Sequence, residues 1–291
     1  MSAQILDGRA VARAIRSALQ ADIAAMRKTR GAPPKLAIVT HTPQASTQVY
    51  LRAKLKAASE TGLAAQEFPC APGSGAEALV RLLARLGTDA SIDSIIVEQP
   101  LPKGFSLDAV FSAIPPRKDA EGVHPANYGR FFLAKSAAEI AAADIIPPCT
   151  AAAIIALLRE TNVHIAGKEA VVVGRSEIVG RPVAHYLSAL DATVTLCHSK
   201  TEELSEHVKR ADILVTCLGK PACIKGAWIK PGAVVIDAGM NRSGDVLVGD
   251  VEFAAASETA SFITPVPGGV GPVTTAIVLA NTADAARRQT V

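Results

Sequence analysis

The sequence predicts an α/β protein of two domains, each built on a largely parallel sheet. Three observations predict it. Short apolar runs alternate with segments of helical period over residues 8–114 and again from residue 169, the pattern of strand–helix units rather than of hairpins. A stretch dense in proline and glycine, 115–148, separates the two alternations and marks a boundary. Finally, Val171, Val172 and Val173 run directly into Gly174, as a strand covered on both faces does before it turns into a helix.

The elements follow in order. Val11, Ile15, Leu19, Ile23 and Met26 recur at helical spacing over 8–28, and Pro33-Pro34 closes that segment. Lys35–Thr40 is a strand. Ser46 to about Thr61 is a helix with Gly62 as its stop. Ala64–Phe68 is a strand, Ala76–Leu86 a helix closed by Gly87, Ser94–Val97 a third strand and Leu107–Ile114 a short helix. Residues 115–148 are expected to be irregular, and Thr150 to cap a helix over Ala151–Arg159. The second alternation places strands at about 170–173, 192–197, 212–216 and 233–237, and a last helix ends near Arg288. Gly180 and Pro182 suit a helix start, since proline tolerates a first turn whose N–H groups are unpaired anyway.

Composition bounds the function. Of 291 residues, 49% are hydrophobic and 20% charged, which is globular rather than disordered. A net charge of +3 gives no reason to expect nucleic acid or membrane as a partner. No apolar run is long enough to span a bilayer, and the N-terminus has no signal-peptide pattern. The five cysteines, at 70, 149, 197, 217 and 223, are scattered and contain no CxxC pair. That suits a reducing, cytoplasmic setting without disulfides or a metal site.

Several stretches carry candidate chemistry. A helix start at the carboxyl end of a parallel strand binds anions, so Gly174, Arg175 and Ser176 are candidates for holding a phosphate. Their spacing, G-x-S-x-x-x-G, is not the usual dinucleotide fingerprint, and an ordinary strand-to-helix turn is the competing reading. The strand 192–197 is followed by His198-Ser199-Lys200-Thr201 with no carboxylate. A carboxylate there would take a ribose 2′-hydroxyl and repel a 2′-phosphate, so its absence, with Arg175 nearby, favours NADP over NAD. Arg175 as a solvated cation, and His198 and Ser199 as caps of a helix starting at Thr201, remain the bland alternatives. At Asp237-Ala238-Gly239-Met240, small residues permit close approach of a ligand, or Asp237 simply holds a turn.

Tyr50 and Lys54 lie four apart on one helix face. Such a pair can do acid/base work, or it is a surface pair. Short-chain dehydrogenases use the same spacing downstream of their nucleotide loop; here it lies about 120 residues upstream of Gly174, which excludes that reading. Val97, Glu98 and Gln99 leave a strand where α/β sheets bind ligands, or form a loop stiffened by Pro100 and Pro102. Asp119 and Glu121 are two carboxylates two apart, in a site or in a turn. Pro267, Gly268, Gly269, Val270 and Gly271 offer backbone N–H groups and room for a flat ligand, or an interdomain turn.

Together these residues resemble the bifunctional methylenetetrahydrofolate dehydrogenase/methenyltetrahydrofolate cyclohydrolases over nearly the whole chain. Ala45-Ser46 through Tyr50 and Lys54 is similar to the family's substrate helix. Val173–Pro182 is similar to its nucleotide loop, and Cys197-His198-Ser199 to the segment that meets the 2′-phosphate. Val235–Met240 and Thr264–Pro272 resemble its two remaining signatures. The resemblance implies two α/β domains with a cleft between them, the second Rossmann-like and NADP-binding. It places the folate-binding domain at 1–143 plus a returning helix 272–291, and the NADP-binding domain at 144–271. It also implies a homodimer acting on tetrahydrofolate one-carbon derivatives. Lys54 would be the central acid/base residue, Tyr50 would orient the folate, and Val97, Glu98, Gln99 and 267–271 would line the substrate. Gly174, Arg175, Ser176, His198, Ser199 and Met240 would hold NADP.

The departures from the family all fall on the folate side. Glu98 stands where the family usually has glutamine, and Glu121 where it has its second aspartate. Ala151-Ala152-Ala153 replaces Pro-x-Gly, and Val273 replaces a methionine. A glutamate beside Lys54 favours the ammonium over the free amine, which weakens it as a base. The resemblance therefore leaves open a dehydrogenase-biased paralogue, an NADP-dependent dehydrogenase for a different substrate, and a non-catalytic binding protein. Retention of Tyr50 and Lys54 argues against the last.

Overall fold

The structure is a computed structural model that describes residues 2–41, 45–71, 73–142, 145–244 and 246–289. In chain order its elements are β1 (Gln4–Ile5), α1 (Gly8–Arg30), β2 (Lys35–Thr40), α2 (Ala45–Thr61), β3 (Ala64–Pro69), α3 (Ala76–Thr88), β4 (Ser94–Val97), α4 (Leu107–Ser112), α5 (Pro125–Leu133) and α6 (Ala137–Ala142). There follow α7 (Cys149–Arg159), β5 (Glu169–Val173), α8 (Gly180–Ser188), β6 (Thr193–Cys197), α9 (Leu204–Arg210), β7 (Ile213–Thr216), β8 (Val234–Asp237), β9 (Asn241–Ser243), β10 (Val246–Val248), α10 (Phe253–Thr259), β11 (Phe262–Ile263) and α11 (Val270–Arg288).

Contacts divide the chain into residues 1–12 with 132–274, and residues 13–131 with 275–291. The three-stranded unit, 13–131 with 275–291, is ordered β3-β2-β4 and wholly parallel. Strand side chains alternate between faces. Ala37, Val39, Ile95 and Val97 therefore pack on Leu79, Leu83 and Leu86 of α3 and on Val110 and Phe111 of α4, while Leu36, Ile38 and Ile96 are buried on the opposite face. The chain leaves β2 toward β3 on one side and returns to β4 on the other. Such a reversal opens a crevice at the carboxyl ends of the strands, here those of β2 and β4.

The six-stranded unit, 1–12 with 132–274, is ordered β1-β11-β8-β7-β5-β6, again all parallel. The expected Rossmann-like sheet is present, with β5 flanked by β6 on one side and β7 on the other. Its reversal point thus lies between β5 and β7. Val171 and Val173 face one core with Leu214 and Val235, and Val172 is buried on the other side.

Contacts group the chain differently from the 143/144 and 271/272 boundaries: β1 extends the six-stranded sheet through Gln4 and Ile5 opposite Phe262 and Ile263, and the Ala137 N–H donates to the Ala189 carbonyl at 2.8 Å. Three expectations are corrected. Among its described residues the segment 115–148 holds a 3-10 turn at Pro116–Lys118 and the helices α5 and α6; Pro125 sits at the first position of α5, which proline tolerates. Thr150 does not cap α7, which begins one residue earlier behind Pro148 without a side-chain cap. No helix starts at Thr201; α9 begins at Leu204 after Glu203 takes a left-handed conformation, φ 47°.

Candidate active site and nucleotide site

Lys54 and Glu98 are 44 residues apart in sequence and meet in space. Lys54 projects from α2, Glu98 leaves β4, and Lys54 Nζ pairs with Glu98 Oε1. The pair is largely withdrawn from solvent, with side-chain exposures of 22% and 7%. Glu98 is positioned by its backbone: its N–H donates to the Val39 carbonyl at 2.9 Å, and its carbonyl lies 2.8 Å from His41 Nε2. Thr40, at the end of β2, donates to Glu67 Oε1 at 2.7 Å. Sequence reading missed His41 and Glu67; each follows from a strand end at the crevice.

Glu121 joins this cluster. Its Oε2 accepts from the Val97 N–H at 3.4 Å. Burial pushes its carboxyl up to about 7; the Lys54 charge opposes that, and Glu98 and Asp119 add like-charge repulsion. Asp119 plays the other part, the turn. Its Oδ1 accepts from the N–H groups of Glu121 at 3.1 Å and Gly122 at 2.9 Å, and its Oδ2 from the His124 N–H and Asn127 Nδ2 at 2.8 Å each. So of the two carboxylates, one builds the loop and the other is presented by it. Gln99 turns back on its own loop, Oε1 accepting from the Leu101 N–H at 3.3 Å, and the Gln99–Pro100 peptide is cis. Its Nε2 is buried and makes no hydrogen bond among the described residues, leaving a donor for a ligand. Tyr50 is half-buried on α2; the side chains of Ala45 and Ser46, in the same signature, lie outside the described residues.

Pro267–Gly271 belongs to the six-stranded unit. Val266–Pro267 is cis, Gly268 has φ 115°, and Val270 and Gly271 already form the first turn of α11.

The nucleotide turn sits at the reversal point between β5 and β7. A Cβ on Gly174 would overlap the Cys217 side chain and carbonyl, and one on Gly180 would overlap the Gly174 carbonyl. The two glycines of G-x-S-x-x-x-G are thus packed on each other and on the end of β7, which accounts for their spacing. Ser176 Oγ accepts from the N–H groups of Val179 at 3.2 Å and Gly180 at 3.4 Å, closing the start of α8. The N–H groups of Arg175 to Ile178 meet no acceptor among the described residues, and exposed Arg175 pairs with no carboxylate there. Free N–H groups, a helix start and an unpaired guanidinium are what a phosphate requires, so these residues fit a dinucleotide.

At the end of β6 the turn is self-contained. The His198 N–H donates to Thr201 Oγ1 at 2.8 Å, and the Lys200 N–H donates to His198 Nδ1 at 3.2 Å. That bond leaves His198 Nε2 without a partner among the described residues; His198 is half-buried and Ser199 exposed. Met240 is 58% exposed.

Asp237 takes the turn role. It accepts from the Thr216 hydroxyl and the N–H groups of Gly239, Asp250 and Val251 at 2.8–3.1 Å. Gly239 is small because Asp250 occupies its Cβ position. Asp250, missed by sequence reading, accepts from the N–H groups of Leu218, Gly219 and Lys220 at 2.5–3.3 Å, anchoring the loop after β7 beside Gly174. Burial, with the charges of Asp250 and Asp237, pushes the Cys217 thiol up to about 12, which keeps it an inert packing group.

Two parallel sheets, one with a phosphate-type turn at its reversal point and the other with a lysine–carboxylate cluster at its own, define a nucleotide-dependent α/β enzyme. Comparisons with known proteins specify it. Residues 6–121 match the family model described as the tetrahydrofolate dehydrogenase/cyclohydrolase catalytic domain, and residues 148–290 match the NAD(P)-binding domain of the same family. The bifunctional protein FolD of Geotalea daltonii is 46% identical over 99% of this chain and 100% of its own length. Bifunctional protein FolD 2 of Myxococcus xanthus is 46% identical over 99% and 97%. The Trypanosoma brucei N5,N10-methylenetetrahydrofolate dehydrogenase-cyclohydrolase, solved with NADP and an inhibitor, superposes with a TM-score of 0.92 at 39% identity, covering 100% of this chain and 99% of that one. The chain belongs to the tetrahydrofolate dehydrogenase/cyclohydrolase family.

Proposed function

We propose that this chain oxidises 5,10-methylenetetrahydrofolate to the methenyl cation with NADP and hydrolyses that cation to 10-formyltetrahydrofolate. The observation that carries the reading is the Lys54–Glu98 pair with Glu121, set at the carboxyl ends of β2 and β4. Bound nicotinamide supplies the hydride acceptor. Tyr50 orients the flat folate, Gln99 and the Val97 backbone border it, and 267–271 offers backbone to its face. Hydride transfer then needs mainly positioning. The hydrolytic step needs proton handling, which falls to Lys54 with Glu98 and Glu121 beside it. Gly174, Arg175, Ser176, His198, Ser199 and Met240 hold NADP, the first three at the reversal point of the sheet and His198 and Ser199 at the end of β6. The protein acts as a cytoplasmic homodimer; its cysteines form no disulfide among the described residues, and light scattering on the purified protein tests the dimer.

The test is to follow NADPH formation with methylenetetrahydrofolate and the loss of methenyl absorbance separately. No NADPH would overturn the assignment. The ion pair favours a second reading within it, a dehydrogenase-biased enzyme. Hydrolytic turnover equal to or above the dehydrogenase turnover would sink that bias. For the cofactor, replacing exposed Arg175 by alanine removes a charge-assisted contact. KM for NADP is expected to rise about tenfold while KM for NAD barely moves; equal shifts for both would remove Arg175 from the 2′-phosphate.

A further inference from the structure

Glu98 meets Lys54 only if the chain leaving β4 is held in one direction. The sheet holds one side of the residue, since the Glu98 N–H donates to the Val39 carbonyl at 2.9 Å. β4 ends at Val97, so the Glu98 carbonyl lies beyond the strand. His41 takes that side. Its Nε2 is 2.8 Å from the Glu98 carbonyl oxygen; a carbonyl only accepts, so this ring nitrogen carries the proton. The half-buried ring stands against Phe105, with centroids 6.5 Å apart and planes tilted by 39°. Phe105 in turn packs on the core of β2 and β4.

The strand end that carries His41 is itself fixed. Thr40 closes β2; its hydroxyl donates to Glu67 at 2.7 Å, and its carbonyl accepts from the Cys70 N–H at 2.7 Å. The imidazole thus bridges the ends of β2 and β4, the two strands that border the crevice. With both peptide groups of Glu98 engaged, the backbone from which its side chain must choose a rotamer is set, and that buried side chain ends on Lys54 Nζ. An apolar residue would fill the place against Phe105 equally well. What histidine adds is the donor, and a group held by such outer hydrogen bonds keeps the geometry that chemistry requires.

We propose that His41 is a positioning residue for the Lys54–Glu98 pair: through the Glu98 carbonyl it aims the carboxylate that restrains Lys54, and so sets the balance between hydrolysis and hydride transfer. The inference rests on the folate reading above. The experiment places His41→Leu, which fills the space without a donor, and His41→Gln, which keeps an N–H donor, in both the parent and Glu98→Gln proteins. The readout is the ratio of hydrolytic to dehydrogenase turnover on one sample, which a loss of folded protein does not move. His41→Leu is expected to raise the ratio about fivefold in the parent, the weight of one hydrogen bond, and His41→Gln to return it toward the parent value. In Glu98→Gln protein His41→Leu should leave the ratio where it is, because no carboxylate remains to be aimed and residues that act through one another are non-additive. The same rise in both backgrounds, no rise in the parent, or a glutamine variant that behaves as the leucine one would overturn the proposal. So would equal loss of both turnovers, the mark of a merely structural support. Parent protein that forms no NADPH from methylenetetrahydrofolate would overturn the folate reading itself, which separates the two failures.

Discussion

Replacing Lys54 by methionine is expected to lower cyclohydrolase turnover by about 10²- to 10⁴-fold, the usual contribution of a positioned acid/base group. NADP reduction should fall much less. The asymmetry follows from the chemistry of the two half-reactions. Hydride transfer asks for a carbon and a nicotinamide held at the right separation, and methionine keeps most of the bulk of the lysine stem. Hydrolysis asks for protons to be taken from water and given to a departing nitrogen. The substitution has one confounding effect: it leaves the largely buried Glu98 carboxylate without its partner, which can cost several kcal/mol in stability. The double variant Lys54→Met/Glu98→Gln removes the orphaned charge. Single-turnover rates for both half-reactions, with a melting curve for each variant, decide the matter. Equal loss of both activities in a stably folded double variant would assign Lys54 to substrate positioning instead.

The parts of the fold visible in the sequence are those where one face or both must be buried. The valine run of β5, the KLAIVT run of β2 and the SIIV run of β4 occupy the residues expected of them to within one position. What escaped were elements whose existence depends on a distant neighbour. β1 is two exposed residues that are a strand only because β11 lies alongside. The β9–β10 hairpin has three residues a side and little burial. α5 and α6 were obscured by Pro125, Gly129 and their short lengths.

The site divides in the same way. Its members were legible one at a time, Lys54 from a helix face and Glu98 from a strand end. Their pairing was not, since no local spacing links residues 44 apart; the expectation that they meet came from the family resemblance. Asp250 was invisible for a like reason. Its role is to collect three backbone N–H groups some 30 residues away, and nothing in its own neighbourhood distinguishes it from a surface aspartate. Asp119 and Asp237, by contrast, take the N–H groups of Gly122 and Gly239, three and two residues further on, a local turn pattern that residue type and spacing do carry.

Changing Glu98 to glutamine is expected to raise hydrolysis of the methenyl cation by about ten- to hundred-fold relative to the dehydrogenase step. The carboxylate engages the Lys54 nitrogen, and a hydrogen bond to a charged group is worth about 1.5–3 kcal/mol. Removing the anion releases that nitrogen to meet the reacting water and also withdraws a negative charge that steadies the cationic intermediate. Glu121 adds a pH dependence whose sign can be worked out. Burial raises its carboxyl to about 7, so below that pH it is neutral and the Lys54–Glu98 pair leaves the cluster without net charge. As pH rises through 7, Glu121 ionises and the cluster gains one negative charge. Affinity for the methenyl cation should therefore rise across that interval. Stability should move the other way. A carboxyl whose folded value lies above its ordinary value of 4.5 stabilises the fold most at low pH, and that contribution is lost between about pH 4.5 and 7. Glu121→Gln should flatten both curves. Methenyl binding by absorbance and melting temperature, each measured from pH 5 to 8, test it. Glu121→Gln protein that keeps the parent's inflection near pH 7 would move the titrating group elsewhere, and Glu98→Gln protein with unchanged hydrolysis would show that the ion pair does not restrain Lys54.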